Sequence, residues 1–202
     1  MYCILITGIP ASGKSSMAEY LAEKLSLPVI SKDTIKELMY DEIGFRSRDE
    51  KVRLGIASMR IMYYMAEQLM KCGQPFILEN NFENISREGL LAILEKYSYQ
   101  AITVTLTGSY ETIYRRFLER NRSPQRHRGH VVNDCYPGKE EENNVVPVSY
   151  ENFVSGIVNR GMDHFTANGP QIILDTTDFS KVDADGLLQK VMECRDEMNP
   201  RS

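Results

Sequence analysis

A short apolar run, residues 2–7, passes without a break into GIPASGKSS, residues 8–16. No other stretch constrains the chain as much. Gly8, Gly13, Lys14 and Ser15 match G-x-x-x-x-G-K-[ST], in which each residue type has a physical task. Glycines let the backbone wrap an anion with no Cβ in the way. Loop N–H groups, and the helix start behind them, turn partial positive charge toward the anion. The flanks agree: residues 3–6 read as a buried parallel strand, and residues 15–25 as a helix with apolar positions at Met17, Leu21 and Leu25. The expected ligand is a nucleoside triphosphate, ATP, held by Gly8, Ile9, Pro10, Ala11, Ser12, Gly13, Lys14, Ser15 and Ser16. Lys14 reaches the β- and γ-phosphates, and the Ser15 hydroxyl ligates Mg²⁺.

Composition narrows the frame around this motif. A chain of 202 residues suits a single α/β domain, 1–202. With 42% hydrophobic and 26% charged residues it has the make-up of a globular protein. A net charge of −4 argues against a surface built to coat nucleic acid. Cys3, Cys72, Cys135 and Cys194 are scattered, with no metal-binding spacing, so reduced thiols are expected. Neither a membrane-length apolar stretch nor a secretion signal is visible, and the expected location is cytoplasmic. Nothing in the sequence speaks to oligomeric state.

Five apolar runs, residues 2–7, 28–31, 75–79, 101–107 and 171–174, alternate with helical patterns. That alternation predicts a five-stranded parallel sheet with helices on both faces. The longest helix, about 50–72, carries a stripe of Val52, Ile56, Met59, Tyr63, Ala66 and Met70, read as core. A later helix, 110–120, has one apolar face of Tyr110, Ile113, Tyr114, Phe117 and Leu118. Between 121 and 148 the periodicity fails and Pro124, Pro137 and Pro147 intervene, so a lid or binding loop is expected there. Within it GKEEENN, 138–144, reads as solvated acidic surface, and His127 and His130 as surface or lid-packing residues.

A phosphate loop does not by itself distinguish a kinase from other nucleotide-binding proteins. No N/T-K-x-D guanine-reading motif is present. A kinase needs a base near the acceptor hydroxyl, a second polar group at a strand end, and arginine to offset phosphoryl charge. Asp33 follows the second strand, where the ligand crevice of an open α/β sheet lies. The same position suits a helix N-cap, and Thr34-x-x-Glu37 fits a capping box, so both roles stand open. Glu79 ends the third strand, with Asn80 and Asn81 behind it as hydrogen-bonding groups for a hydroxylated substrate. Arg116 and Arg120 are one helical turn apart and point the same way. Arg122, Arg126 and Arg128 continue into the lid.

Taken in order, ILITGIPASGKSSMAEYLAEKL, SKDTIKE, FILENNF, YRRFLERN and IILDTTD resemble a family of small P-loop kinases. That family includes the phage polynucleotide 5′-kinase, chloramphenicol phosphotransferase and the zeta-toxin kinases. The resemblance runs from residue 2 to about 178. It implies Asp33 as general base and Lys36, one turn later, as a substrate contact where the family's usual residue is Arg. Glu79 stands where the family more often has Asp, and Phe82 where it often has Asn. The expectation is an ATP- and Mg²⁺-dependent kinase acting on a hydroxyl of a small molecule. Lys14, Asp33 and Arg120 would be catalytic, Arg116 would contact the nucleotide, and Lys36, Glu79, Asn80 and Asn81 the acceptor. Alternatives are a regulatory nucleotide-binding module with slow hydrolysis, or a kinase of nucleoside monophosphates or polynucleotide 5′-hydroxyls.

Overall fold

Residues 2–7 are apolar at consecutive rather than alternate positions, so a strand formed there needs cover on both faces. β1 (Tyr2–Gly8) has that cover. In the computed structural model, which describes residues 1–138 and 147–198, β1 is the middle strand of a five-stranded parallel sheet. The others are β2 (Val29–Ser31), β3 (Ile77–Glu79), β4 (Gln100–Thr107) and β5 (Gln171–Asp175), in the order β2-β3-β1-β4-β5. The expected strands all form, with ends moved by up to two residues.

Alternation along β1 sorts its side chains between two cores. Cys3 and Leu5 enter a cluster with Met62, Ala66, Phe76 and Leu90. That face is covered by α3 (Arg48–Lys71) and α4 (Asn84–Lys96). Ile4 and Ile6 enter the opposite cluster with Met17, Leu21, Leu187 and Val191, from α1 (Lys14–Leu25) and α8 (Ala184–Met198). A third cluster joins Ile9 of the phosphate loop to α5 (Tyr110–Arg122) and α7 (Tyr150–Arg160). Here Ile113 is fully buried, with Tyr110, Tyr114 and Phe117 packed beside it, as the apolar face of that helix predicts.

The stripe on α3 is corrected in its first half. Met70 and Ala66 are buried, but Val52 and Ile56 are 45% and 53% exposed. The buried line runs instead through Lys51, Ser58, Met62, Ala66 and Met70. The reason lies in what α3 packs against. Its second half faces the sheet, whereas its first half faces α2 (Lys32–Glu42) and the segment around Val132, through Leu54 and the polar Lys51 and Ser58.

Residues 121–138 are more ordered than the failed periodicity suggests. α5 runs on to Arg122, a one-turn helix α6 (Arg128–Val131) follows, and Tyr136 pairs with Phe45 as an isolated antiparallel bridge. Residues 139–146, and with them most of the acidic stretch 138–144, lie outside the described residues. Among the described residues no helix is long and apolar enough to cross a membrane. All four cysteines are free.

Candidate active site

The loop after β1 holds its shape through its glycines. Gly8 has φ 122, and a Cβ there would sit 2.0 Å from the Leu106 carbonyl oxygen of β4. Gly13 has φ 92 at the N-cap of α1, where it supplies no side-chain cap. Ser31, Ser47, Ser109 and Ser149 cap α2, α3, α5 and α7. The first-turn N–H groups of α1, at Lys14, Ser15 and Ser16, are therefore open to an anion. The Ser12 hydroxyl and Lys14 Nζ both donate to the Ile9 carbonyl at 2.8 Å. Ile9 and Ser12 are fully buried and, like Gly8, do not line the crevice beside the loop, so these three predicted contacts shape the loop from within, whereas Pro10, Ala11, Gly13, Lys14, Ser15 and Ser16 line it. Lys14 is 7% exposed. Burial lowers its pKa to about 8, against the raising influence of Glu79.

Strand register brings the other groups to this loop. Ser31, Glu79 and Ile6 stand level on β2, β3 and β1. The Ser31 hydroxyl donates to Glu79 Oε2 at 2.5 Å. Burial raises the Glu79 pKa, while Lys14 and the hydroxyls of Ser31 and Ser15 pull the other way. A buried carboxylate beside the Ser15 hydroxyl is a hard-oxygen donor set that fits Mg²⁺. Ser15 would be the direct protein ligand, with phosphate oxygens and water completing the shell.

Asp33 lies in the first turn of α2, not at its cap. Ser31 Oγ accepts from the Thr34 N–H at 3.4 Å, so the helix starts two residues earlier than a cap at Asp33 requires. Thr34 and Glu37 are then interior to the helix and form no capping box. The Asp33 carboxylate is 52% exposed and opens into a crevice of about 680 Å³ shared with the phosphate loop. Partial burial works to raise its pKa, but His130, Lys36, Arg126 and Lys14 outweigh it and hold the carboxyl below its usual value.

The crevice also takes in Pro10, Ala11, Ser16, Lys36, Glu37, Glu79, Asn81, Arg116, Arg120, Arg126 and His130. The arginines divide by what they touch. Arg116 donates to the Thr176 and Thr177 carbonyls at 2.5 and 2.7 Å, and its guanidinium lies 3.8 Å from the centre of the Phe179 ring. Arg120 and Arg126 each leave a buried Nε without a hydrogen-bond partner. Arg122 and Arg128 do not line the crevice. Asn80 is not brought to it either. Its amide lies 4.0 Å from Met59 Sδ, beneath the turn, whereas Asn81 faces the crevice. Phe82 takes φ 43 and stacks on Phe165 at 5.1 Å, so this family departure serves the core.

His127 and His130 anchor the segment just after α5, as their packing role predicts. His127 Nε2 meets Asp41 at 3.0 Å and His130 Nε2 meets Glu37 at 2.8 Å. Burial lowers the His130 pKa, with Glu37 opposing. No cluster of three or more His, Cys, Asp or Glu suited to a metal occurs among the described residues. Ser31, Thr34, Glu37, Phe117, Glu119 and Phe179 line the crevice but went unread in the sequence as site residues. Glu37 resembles a capping partner, and Phe179 is a lone aromatic after the fifth strand; an aromatic just past a strand's carboxyl end was the available signal.

Comparison with known proteins agrees with this geometry. Residues 4–145 match the family described as AAA domain. A "putative kinase" from Chloroflexus aurantiacus J-10-fl is 26% identical, with a TM-score of 0.78 over 96% of this chain and 97% of that one. A gluconokinase from Sinorhizobium meliloti 1021 is 13% identical, with a TM-score of 0.57 over 98% and 97%. A shikimate kinase from Bacteroides thetaiotaomicron is 15% identical, with a TM-score of 0.52 over 96% and 97%. At such identities the last two speak for the fold, which is that of a P-loop kinase.

Proposed function

The chain belongs to the AAA domain family, and from that membership and the geometry of the crevice we propose an ATP- and Mg²⁺-dependent kinase that phosphorylates a hydroxyl of a small molecule. One observation carries this reading: the phosphate loop and the ionised Asp33 carboxylate open into the same crevice. A hydroxyl held at Asp33 faces the end of a triphosphate held at Lys14, which is the requirement for in-line transfer.

Each group then has a task. Lys14 Nζ leaves the Ile9 carbonyl for phosphate oxygens, and the α1 N–H groups hold the same anion. Bound Mg²⁺ offsets phosphate charge; Ser15 would ligate it, and Glu79 would orient its water. Asp33 accepts the hydroxyl proton. Arg120, whose buried Nε has no hydrogen-bond partner among the described residues, neutralises charge on the moving phosphoryl group. Arg116 stacked on Phe179 offers a flat, cationic surface for the nucleobase. Residues 121–148 act as the lid of a single domain. The ordered motifs further support kinship with the phage polynucleotide 5′-kinase, chloramphenicol phosphotransferase and zeta-toxin group.

The test is acceptor-dependent ADP release across a panel of polyols, sugar acids, sugar phosphates, nucleosides and antibiotics, with Lys14→Ala as control. We expect transfer to at least one class well above hydrolysis to water, and its loss in Lys14→Ala. Hydrolysis alone, unchanged by every acceptor, would favour a regulatory nucleotide-binding module.

A further inference from the structure

On the acceptor side of the crevice, two cations face Asp33 without a hydrogen bond. Arg126 Nη2 stands 3.9 Å from Asp33 and Nη1 3.8 Å from Glu37, near enough for attraction but too far to donate. Its Nε is buried and unpartnered, although the side chain is only 16% exposed. Lys36, one turn beyond Asp33, makes no hydrogen bond or ion pair among the described residues. Its ammonium lies over the Tyr40 ring, 5.4 Å from the centroid. Neither nearby carboxylate meets these donors at hydrogen-bond distance. Glu37 takes the His130 Nε2 contact at 2.8 Å, and Asp33 must be free for the hydroxyl it activates.

A bound acceptor would shut water away from these donors. Charged donors enclosed without acceptors are costly, more so than neutral ones. Hydroxyl groups can accept from them but cannot offset their charge. A carboxylate or phosphate does both, and its oxygens match the fork of a guanidinium. Burial lowers the Lys36 pKa to about 8, with Asp33 opposing, so an anion beside it would restore the ammonium.

Resting on the kinase reading above, we infer that the acceptor is itself an anion: its carboxylate or phosphate binds Arg126 and Lys36 while its hydroxyl meets Asp33. Both Arg120 and Arg126 line the crevice, but it is Arg126 whose guanidinium stands within 4 Å of Asp33 and Glu37, so Arg126 with Lys36 serves the acceptor's own charge and Arg120 is left for the donor phosphates.

Anion binding can be measured without knowing the acceptor. With Mg²⁺ and a non-hydrolysable ATP analogue bound, inorganic phosphate and acetate are titrated separately while the backbone amide resonances of α2, from Asp33 to Glu37, are followed. A saturable shift with either probe, lost in Arg126→Gln and in Lys36→Met, is expected, and the stronger probe identifies the anion class. A non-saturating response to both would overturn the inference. So would an Arg126→Gln variant that weakens the ATP analogue and leaves the titration unchanged, because Arg126 would then belong to the donor. In turnover, matched pairs are compared: aldonic acid against alditol, and sugar phosphate against sugar. The charged member should be preferred, and each variant should raise its KM about 10–100-fold, the scale of a lost hydrogen bond to a charged group. Equal use of both members would sink this inference and leave the kinase intact. If nothing in the panel is phosphorylated, the kinase reading falls, and the titration still decides whether the anion site exists.

Discussion

Asp33 and Ser31 divide between them two tasks that a sequence window superimposes. Because Ser31 is the cap, Asp33→Asn should leave the start of α2 intact. It should lower acceptor phosphorylation ~10²–10⁴-fold, the range for loss of a general base. Single-turnover transfer at saturating ATP and acceptor, beside a nucleotide titration, tests this; transfer surviving within a small factor would remove Asp33 from catalysis. Ser31→Ala should cost about 1 kcal/mol of stability as a lost cap and also release the Glu79 carboxylate that the same hydroxyl holds, with Asp33 still ionised. Lys14 supplies a pH dependence. Its pKa of about 8 in the empty site means that above pH 8 the free protein has largely lost this proton, whereas phosphate oxygens favour the ammonium. Nucleotide binding should therefore take up a proton above pH 8 and weaken as pH rises further. Calorimetry in buffers of different ionisation enthalpy reads the uptake directly, and Lys14→Met should abolish it.

Among the elements, the segment from Ser123 to Tyr136 is docked on α2 and α3 rather than on the phosphate loop. Lys51 Nζ donates to the carbonyls of His130 and Val132 and to Asn133 Oδ1, closing the C-terminal end of α6. Tyr136 Oη donates to Asp41 Oδ1, where His127 also binds, and Gly129 lies against the Tyr40 ring. A Cβ at Gly129 would fall 2.3 Å from that ring, so the approach requires glycine. Lys51→Met should free two buried carbonyls, at ~1–3 kcal/mol each if unsatisfied. Hydrogen exchange should then speed up across 123–138 before it does in the sheet. If residues 121–148 close as a lid, an ATP analogue should slow exchange there in the wild type, and less so in Lys51→Met. Unchanged protection with nucleotide bound would count against closure.

For the molecule as a whole, the crevice sets Lys14, Lys36, Arg116, Arg120 and Arg126 beside Asp33, Glu37, Glu79 and Glu119, and the chain carries −4 overall. Polynucleotide held along its backbone needs an extended basic track and loses affinity steeply with salt. We expect no appreciable binding of a 5′-hydroxyl oligonucleotide at physiological salt, measured by fluorescence anisotropy. Tight, salt-sensitive binding would bring the polynucleotide kinase alternative forward.

Covalent neighbours within a few residues determine the phosphate loop and the strand before it. Glycine's torsions and the consecutive apolar run act locally, so Gly8–Ser16, the five parallel strands and the placement of Glu79 beside the loop are legible without coordinates. The same holds for the apolar face of α5, because its partners bury the side that periodicity marks. Other features depend on which surface meets which. Val52 and Ile56 carry the spacing of core residues but lie exposed, since that half of α3 packs through Leu54, Lys51 and Ser58 against α2 and the segment around Val132 instead of the sheet. Asn80 and Asn81 are adjacent and chemically identical, yet one turns under the strand end and the other into the crevice. The arginines from Arg116 to Arg126 look equivalent in sequence; only folding gives Arg116 its carbonyls and leaves the buried Nε of Arg120 and of Arg126 without a hydrogen-bond partner. Local chemistry sets what a residue can do, and contacts dozens of positions away in sequence set what remains for it to do.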